Sequence, residues 1–68
     1  MEEIRVNGRA RPWRAGSIAD LLRDTGADPG RPGIAVAVNG GIVPRSEWTT
    51  RALEPGDDVE IVGAAQGG

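Results

Sequence analysis

The hydrophobic positions fall into short runs separated by Gly, Pro and Asn-Gly punctuation. Ile4-Arg5-Val6 alternates apolar and polar, the period of a half-buried strand. Asn7-Gly8 follows and marks a tight hairpin. Residues 11–15 read as the returning strand, with Pro12 suited to a sheet edge because it has no N–H. Gly16-Ser17 breaks that strand. Ser17 and Asp20 have the spacing of a capping box, and Ile18, Leu21 and Leu22 recur on one helical face. The spacing predicts a helix over 17–25, with Gly26 past its end and Pro29 and Pro32 preventing its resumption. Residues 34–38 form the most apolar run, and Asn39-Gly40-Gly41 is a second hairpin turn. Ile42-Val43 is a very short strand stopped by Pro44. Residues 45–49 fit one helical turn around Trp48, and 53–57 fit a turn. Residues 58–62 alternate as a last strand. Residues 63–68 carry no large apolar side chain and read as a loose tail.

Two hairpins therefore flank one helix, and a final strand must return to the sheet. The two-layer solution for so few elements is one sheet with one helix across it. A last strand parallel to the first, paired with it in the centre, sets Ile4 and Val6 beside Val59 and Ile61. Arg5 and Glu60 then meet on the other face. The expected class is α+β: a β-grasp, ubiquitin-like roll. It has a mixed sheet of four to five strands, one helix packed across it, and a flexible C-terminal tail. Residues 1–63 form the domain and 64–68 the tail.

Composition narrows the chemistry. The chain has 68 residues, of which 38% are hydrophobic, and no Cys or His. Cysteine nucleophiles, disulfides, thiolate zinc sites and the usual neutral-pH base are thus excluded. All eight basic residues are Arg, so the only amine is the α-amino group. Ten acids interleave with them for a net charge of −2, the wrong balance for nucleic-acid binding. The longest apolar run, five residues at 34–38, is far short of the ~20 needed to cross a membrane. The acidic start Met1-Glu2-Glu3 is unlike a secretory signal, so a cytoplasmic location is expected. A core this small encloses no deep substrate cavity, which favours a module that works through partners.

Four stretches carry a resemblance over essentially the whole chain. They are Ile4-Arg5-Val6-Asn7-Gly8, the helix around Leu21-Leu22, and Val36-Ala37-Val38-Asn39-Gly40 running into Ile42-Val43-Pro44-Arg45 with Trp48. The last is Leu53…Gly56-Asp57-Asp58-Val59-Glu60-Ile61 ending in Gln66-Gly67-Gly68. The sequence resembles the ThiS family, the sulfur carriers of thiamine biosynthesis in the ubiquitin-like superfamily. It differs just before the diglycine, where Ala64-Ala65-Gln66 is less bulky than in many relatives.

The resemblance implies a protein cosubstrate and not an enzyme. An E1-like, ThiF-like enzyme would use ATP to adenylate the Gly68 carboxylate. A persulfide donor would convert it to a thiocarboxylate, and a ThiG-like thiazole synthase would take the sulfur. No cofactor or metal is bound by the carrier itself, which is expected to be monomeric. Gly67 and Gln66 would pass into partner active sites, and Gly67 and Gly68 suit a narrow channel because they lack Cβ. The tail from Gly63 reaches at most about 20 Å. Val62, Ala64 and Ala65 are the candidate partner contacts. Carriers resembling the molybdopterin synthase small subunit, or serving cysteine or tRNA thiolation, share this logic. A non-carrier ubiquitin-like binding module needs no free diglycine. Trp48 reads as a corner plug, Arg45 as a donor to the turn after Pro44, and Trp13 as packing beside the helix or half-exposed. Glu54, Asp57, Asp58 and Glu60 read as a solvated face balanced by Arg5.

Overall fold

The structure, a computed structural model, describes residues 2–63. Strand β1 (Glu3–Val6) and β2 (Arg9–Pro12) form the first hairpin. Helix α1 (Ile18–Asp24) leads to β3 (Ile34–Val38) and β4 (Gly41–Ile42). A 3-10 turn (Arg45–Glu47) and a long connection precede β5 (Asp58–Gly63). The sheet order is β2-β1-β5-β3-β4, with β5 parallel to β1 and antiparallel to β3. This is the β-grasp roll expected from the element order.

Both hairpins close through two-residue Asn-Gly loops. Asn7 and Gly8 lie at φ 53° and 85°, and Asn39 and Gly40 at 52° and 86°. Two successive positive φ values match the right-handed twist of the strands that they join. The helix begins as its sequence dictates. The Ser17 hydroxyl accepts from the Asp20 N–H at 3.2 Å, and the Asp20 carboxylate accepts from the Ser17 N–H at 2.9 Å. It ends in a Schellman motif, with Ala27 N–H on the Leu22 carbonyl and Gly26 N–H on the Arg23 carbonyl. The next two helix-end donors, on Ile18 and Ala19, reach the carbonyls of Arg51 and Trp48. The connection before β5 is thereby fastened to the helix N-terminus.

The core lies entirely between the helix and one face of the sheet. Ile18, Ala19, Leu21 and Leu22 of α1 pack on Ile4, Val36, Val38 and Val59. Trp13, Val43, Trp48 and Leu53 close the edges. No polar or charged residue is buried among the described residues. Each indole still finds an acceptor: Trp13 Nε1 donates to the Leu53 carbonyl at 3.2 Å and Trp48 Nε1 to the Val43 carbonyl at 3.0 Å.

Several details differ from the pattern reading; β4, for example, is Gly41–Ile42, with Val43 beyond it in the core. β2 starts at Arg9 rather than 11, because the Asn-Gly loop pairs Val6 directly with Arg9. Trp13 lies just beyond that strand and is buried. Arg5 faces Asp58 rather than Glu60, because the parallel register pairs Arg5 with Asp58 and Val6 with Val59. The Arg5 guanidinium turns instead to the Gly8 carbonyl. The last strand runs one residue further, to Gly63, paired with Ile34.

Candidate functional site

Strand β5 is the central strand, and its end organises the site. Alternation sends Val59, Ile61 and Gly63 toward the helix and Asp58, Glu60 and Val62 toward the other face. One helix covers only one face, so the second face is open to solvent. Val62 on it is 63% exposed and Ile42 74%, the two large apolar side chains exposed among the described residues. The ladder joins them. Val62 pairs with Ala35, and Ala37 stands between Glu60 on one side and Ile42 on the other. The small Ala35 and Ala37 leave Val62 and Ile42 standing over a flat apolar strip, with Glu60 at its border. The sequence points to Val62 as a contact residue. It does not single out Ile42, whose side of the sheet follows from the β3 register.

The two Asn-Gly turns clamp β5 from both sides. Asn7 N–H donates to the Val59 carbonyl at 2.9 Å. Its side chain then pairs with the backbone of Ile61, Oδ1 accepting from N–H at 2.8 Å and Nδ2 donating to the carbonyl at 3.2 Å. Asn39 Oδ1 accepts from the Asp58 N–H at 2.9 Å, and its Nδ2 donates to Asp57 Oδ1 at 3.0 Å. Asp57 also accepts from the Glu54 N–H at 2.9 Å. Its carboxylate holds the turn before β5 rather than offering a free docking charge.

On the helix side of the strand end, Ile61 and Gly63 border an open groove with Ile34, Asp28, Arg31 and Pro32. The loop after the helix forms its outer wall. Arg45 holds that loop. Its guanidinium stacks 4.5 Å above the Trp48 ring and donates to the carbonyls of Pro29 and of Arg31, the latter at 2.8 Å. The turn after Pro44 is therefore not its partner, and no local sequence signal indicates a contact 14 to 16 residues upstream.

No group of three or more acids, His or Cys converges to hold a metal among the described residues. Among the described residues, Asp20 has a displaced pKa. Its carboxyl is held below the ordinary 3.8, first by the Ser17 N–H, then by the Ser17 hydroxyl, with a smaller contribution from Arg23. It is the N3 partner of Ser17 in the capping box of α1. No helix among the described residues is long and apolar enough to cross a membrane. Ala64, Ala65, Gln66, Gly67 and Gly68 lie outside the described residues.

A crystal structure of the thiamine biosynthesis protein ThiS from Geobacter metallireducens superposes with a TM-score of 0.79 at 22% identity, covering 97% of this chain and 99% of that one. A solution structure of a thiamine biosynthesis protein from the same organism gives 0.77 at 22% identity, covering 100% and 88%. At that identity the likeness establishes the shared fold. No curated protein matches the sequence. The model of the ThiS family matches residues 4–68, nearly the whole chain. With the strand order, the Asn-Gly turns and the Val-Pro-Arg-Ser-Glu-Trp segment all in place, this chain belongs to the ThiS family of sulfur carrier proteins.

Proposed function

We propose that the protein is a cosubstrate that carries sulfur on the carboxyl group of Gly68 for thiazole formation in thiamine biosynthesis. The observation that supports this most directly is the placement of β5. The strand is held on both edges by the sheet and by two Asn side chains up to Ile61, and the Gly-rich end begins at Gly63 beside an open apolar face. The folded body, described to Gly63, would serve as a handle for the reacting carboxyl group.

The chemistry follows from what a carboxylate lacks. It is a poor electrophile, so a ThiF-like enzyme first lets a Gly68 carboxylate oxygen attack the α-phosphate of ATP. Pyrophosphate leaves and an acyl-adenylate remains. The terminal sulfur of a persulfide donor attacks the acyl carbon and expels AMP. A thiol then cleaves the S–S bond of that acyl disulfide and releases the thiocarboxylate. The sulfur, charged and nucleophilic, attacks an electrophilic carbon in a ThiG-like synthase. ATP belongs to the activating partner and no cofactor is needed on the carrier. Gly67 and Gln66 thread the channel, and Val62, Ala64 and Ala65 touch its rim, with Ile42 extending that contact on the open face.

The test is the intact mass of the protein after incubation with an adenylating enzyme of this type, ATP and a sulfur donor. A sulfur-for-oxygen gain that maps to Gly68 and reacts with an alkylating reagent is expected. It should vanish when Gly67 and Gly68 are deleted. An unchanged mass, with an enzyme active on its own carrier, would favour a different pathway or a ubiquitin-like binding module.

A further inference from the structure

We propose that Arg45 is a positioning residue: it fixes the loop over residues 28–32 as the second wall of the exit from β5, and the activating enzyme grips that wall. The inference rests on the carrier reading and deepens it. The six residues from Gly63 to Gly68 span at most about 20 Å when fully extended. An enzyme that draws Gly68 into its active centre must therefore bring the rim of its channel close to Gly63. Whatever surrounds Gly63 becomes part of the contact. On the open face that surround is Val62. On the helix side it is the loop, because Gly63 pairs with Ile34 and shares its groove with Asp28, Arg31 and Pro32.

Ala27 and Ile34 pack against the core on either side of the loop, but among the described residues no hydrogen bond other than those of Arg45 ties residues 28–32 to the body. The helix ends at Asp24, and β3 begins only at Ile34. Within the loop, Asp28 bonds the N–H groups of Gly30 and Arg31, which shapes it locally but does not attach it to the body. Arg45 supplies the attachment, taking two loop carbonyls with one planar guanidinium whose face rests on Trp48. A lysine could keep the charge but could not present a flat fork to both carbonyls while stacked. Trp48 is buried and bonded at its own N–H, so the platform is rigid. The wall is thus registered to the core through one side chain.

The experiment compares wild type, Arg45→Ala and Arg45→Lys in two measurements. Hydrogen exchange should show the Gly30 and Arg31 amides of Arg45→Ala opening about tenfold faster while the β5 amides are unchanged. Carrier-dependent pyrophosphate–ATP exchange by the activating enzyme should show KM for the carrier raised about tenfold, as when the competent loop arrangement is held a tenth of the time, with kcat within about twofold. Arg45→Lys should fall between. A KM within twofold of wild type, or a loss confined to kcat, overturns the proposal. If Arg45→Ala does not fold, Arg31→Glu replaces it. That change alters the exposed wall but spares the carbonyl that Arg45 binds, and the same limits on KM and kcat apply. A wild-type protein that supports no exchange overturns the carrier reading itself, and the docking role of the wall falls with it. The hydrogen-exchange comparison separately decides whether Arg45 holds the loop.

Discussion

The side chain of Asn7 continues the sheet where its backbone leaves it, exchanging two hydrogen bonds with Ile61 at 2.8 and 3.2 Å. The carboxamide takes the place of the next peptide unit, because the chain has turned away at φ 53°. One residue therefore makes the hairpin and secures the strand that leads to the reacting end. Asn7→Ala should lower stability by about 1–2 kcal/mol, from two lost bonds in partial competition with water and the loss of the polar side chain that makes Asn more tolerant than Ala of positive φ. Asn7→Gly also loses the carboxamide but carries no Cβ at positive φ, so the difference between the two variants isolates the backbone strain. Urea unfolding gives the energies, and faster exchange of the Ile61 amide in both variants locates the loss.

Trp48 is the platform under Arg45 and a member of the core. Trp48→Ala should cost about 3–5 kcal/mol, which approaches all that a core of this size supplies, so the variant should be largely unfolded at room temperature. Trp48→Phe keeps most of the ring but leaves the Val43 carbonyl without its donor, and should cost about 1–3 kcal/mol. Circular dichroism melts distinguish the two.

Gly16 sits at φ 144°, and a Cβ there would meet Trp13 Cζ2 at 3.1 Å and Asp20 Oδ2 at 3.2 Å. Gly8 at φ 85° has open space around it. Gly16→Ala should therefore destabilise by about 1–3 kcal/mol, and Gly8→Ala by less, since only the backbone strain remains. The order of the two urea midpoints checks this; equal midpoints would remove the packing argument.

Asp20 predicts a pH dependence with a definite sign. Its folded carboxyl ionises below the ordinary 3.8 because the charged form accepts from the Ser17 N–H and hydroxyl. The unfolded chain then binds the proton more readily, so stability rises with pH in this window. The contribution is fully present above pH 3.8 and is lost as pH falls through the lower folded value. Asp20→Asn should flatten the acid limb of stability against pH between those two values. A limb of unchanged slope would assign acid sensitivity to other carboxylates.

Val62 and Ile42 are exposed, so replacing either by Asp should change stability by no more than about 1 kcal/mol. Each change should nonetheless raise KM for the carrier in adenylation, because the apolar strip loses an anchor to a charge. A folded Val62→Asp protein activated as well as wild type would remove this face from the contact.

The pattern of apolar positions determined the elements, their order and the roll. Alternation, capping and Asn-Gly turns are local rules, and each operates over a few neighbouring residues. The Ser17–Asp20 box, the Gly26 stop and both hairpins stand where those rules put them. The absence of Cys, His and Lys also leaves the chain without the usual nucleophilic thiol, imidazole base and side-chain amine. Only the tertiary structure decided the register of β1 on β5, because nothing local distinguishes Asp58 from Glu60 as the neighbour of Arg5. The same holds for Arg45, whose carbonyl partners lie far upstream, and for Ile42, whose exposure depends on the face that β3 leaves bare. These are contacts between distant segments, set by how the sheet closes, and short-range spacing does not encode them.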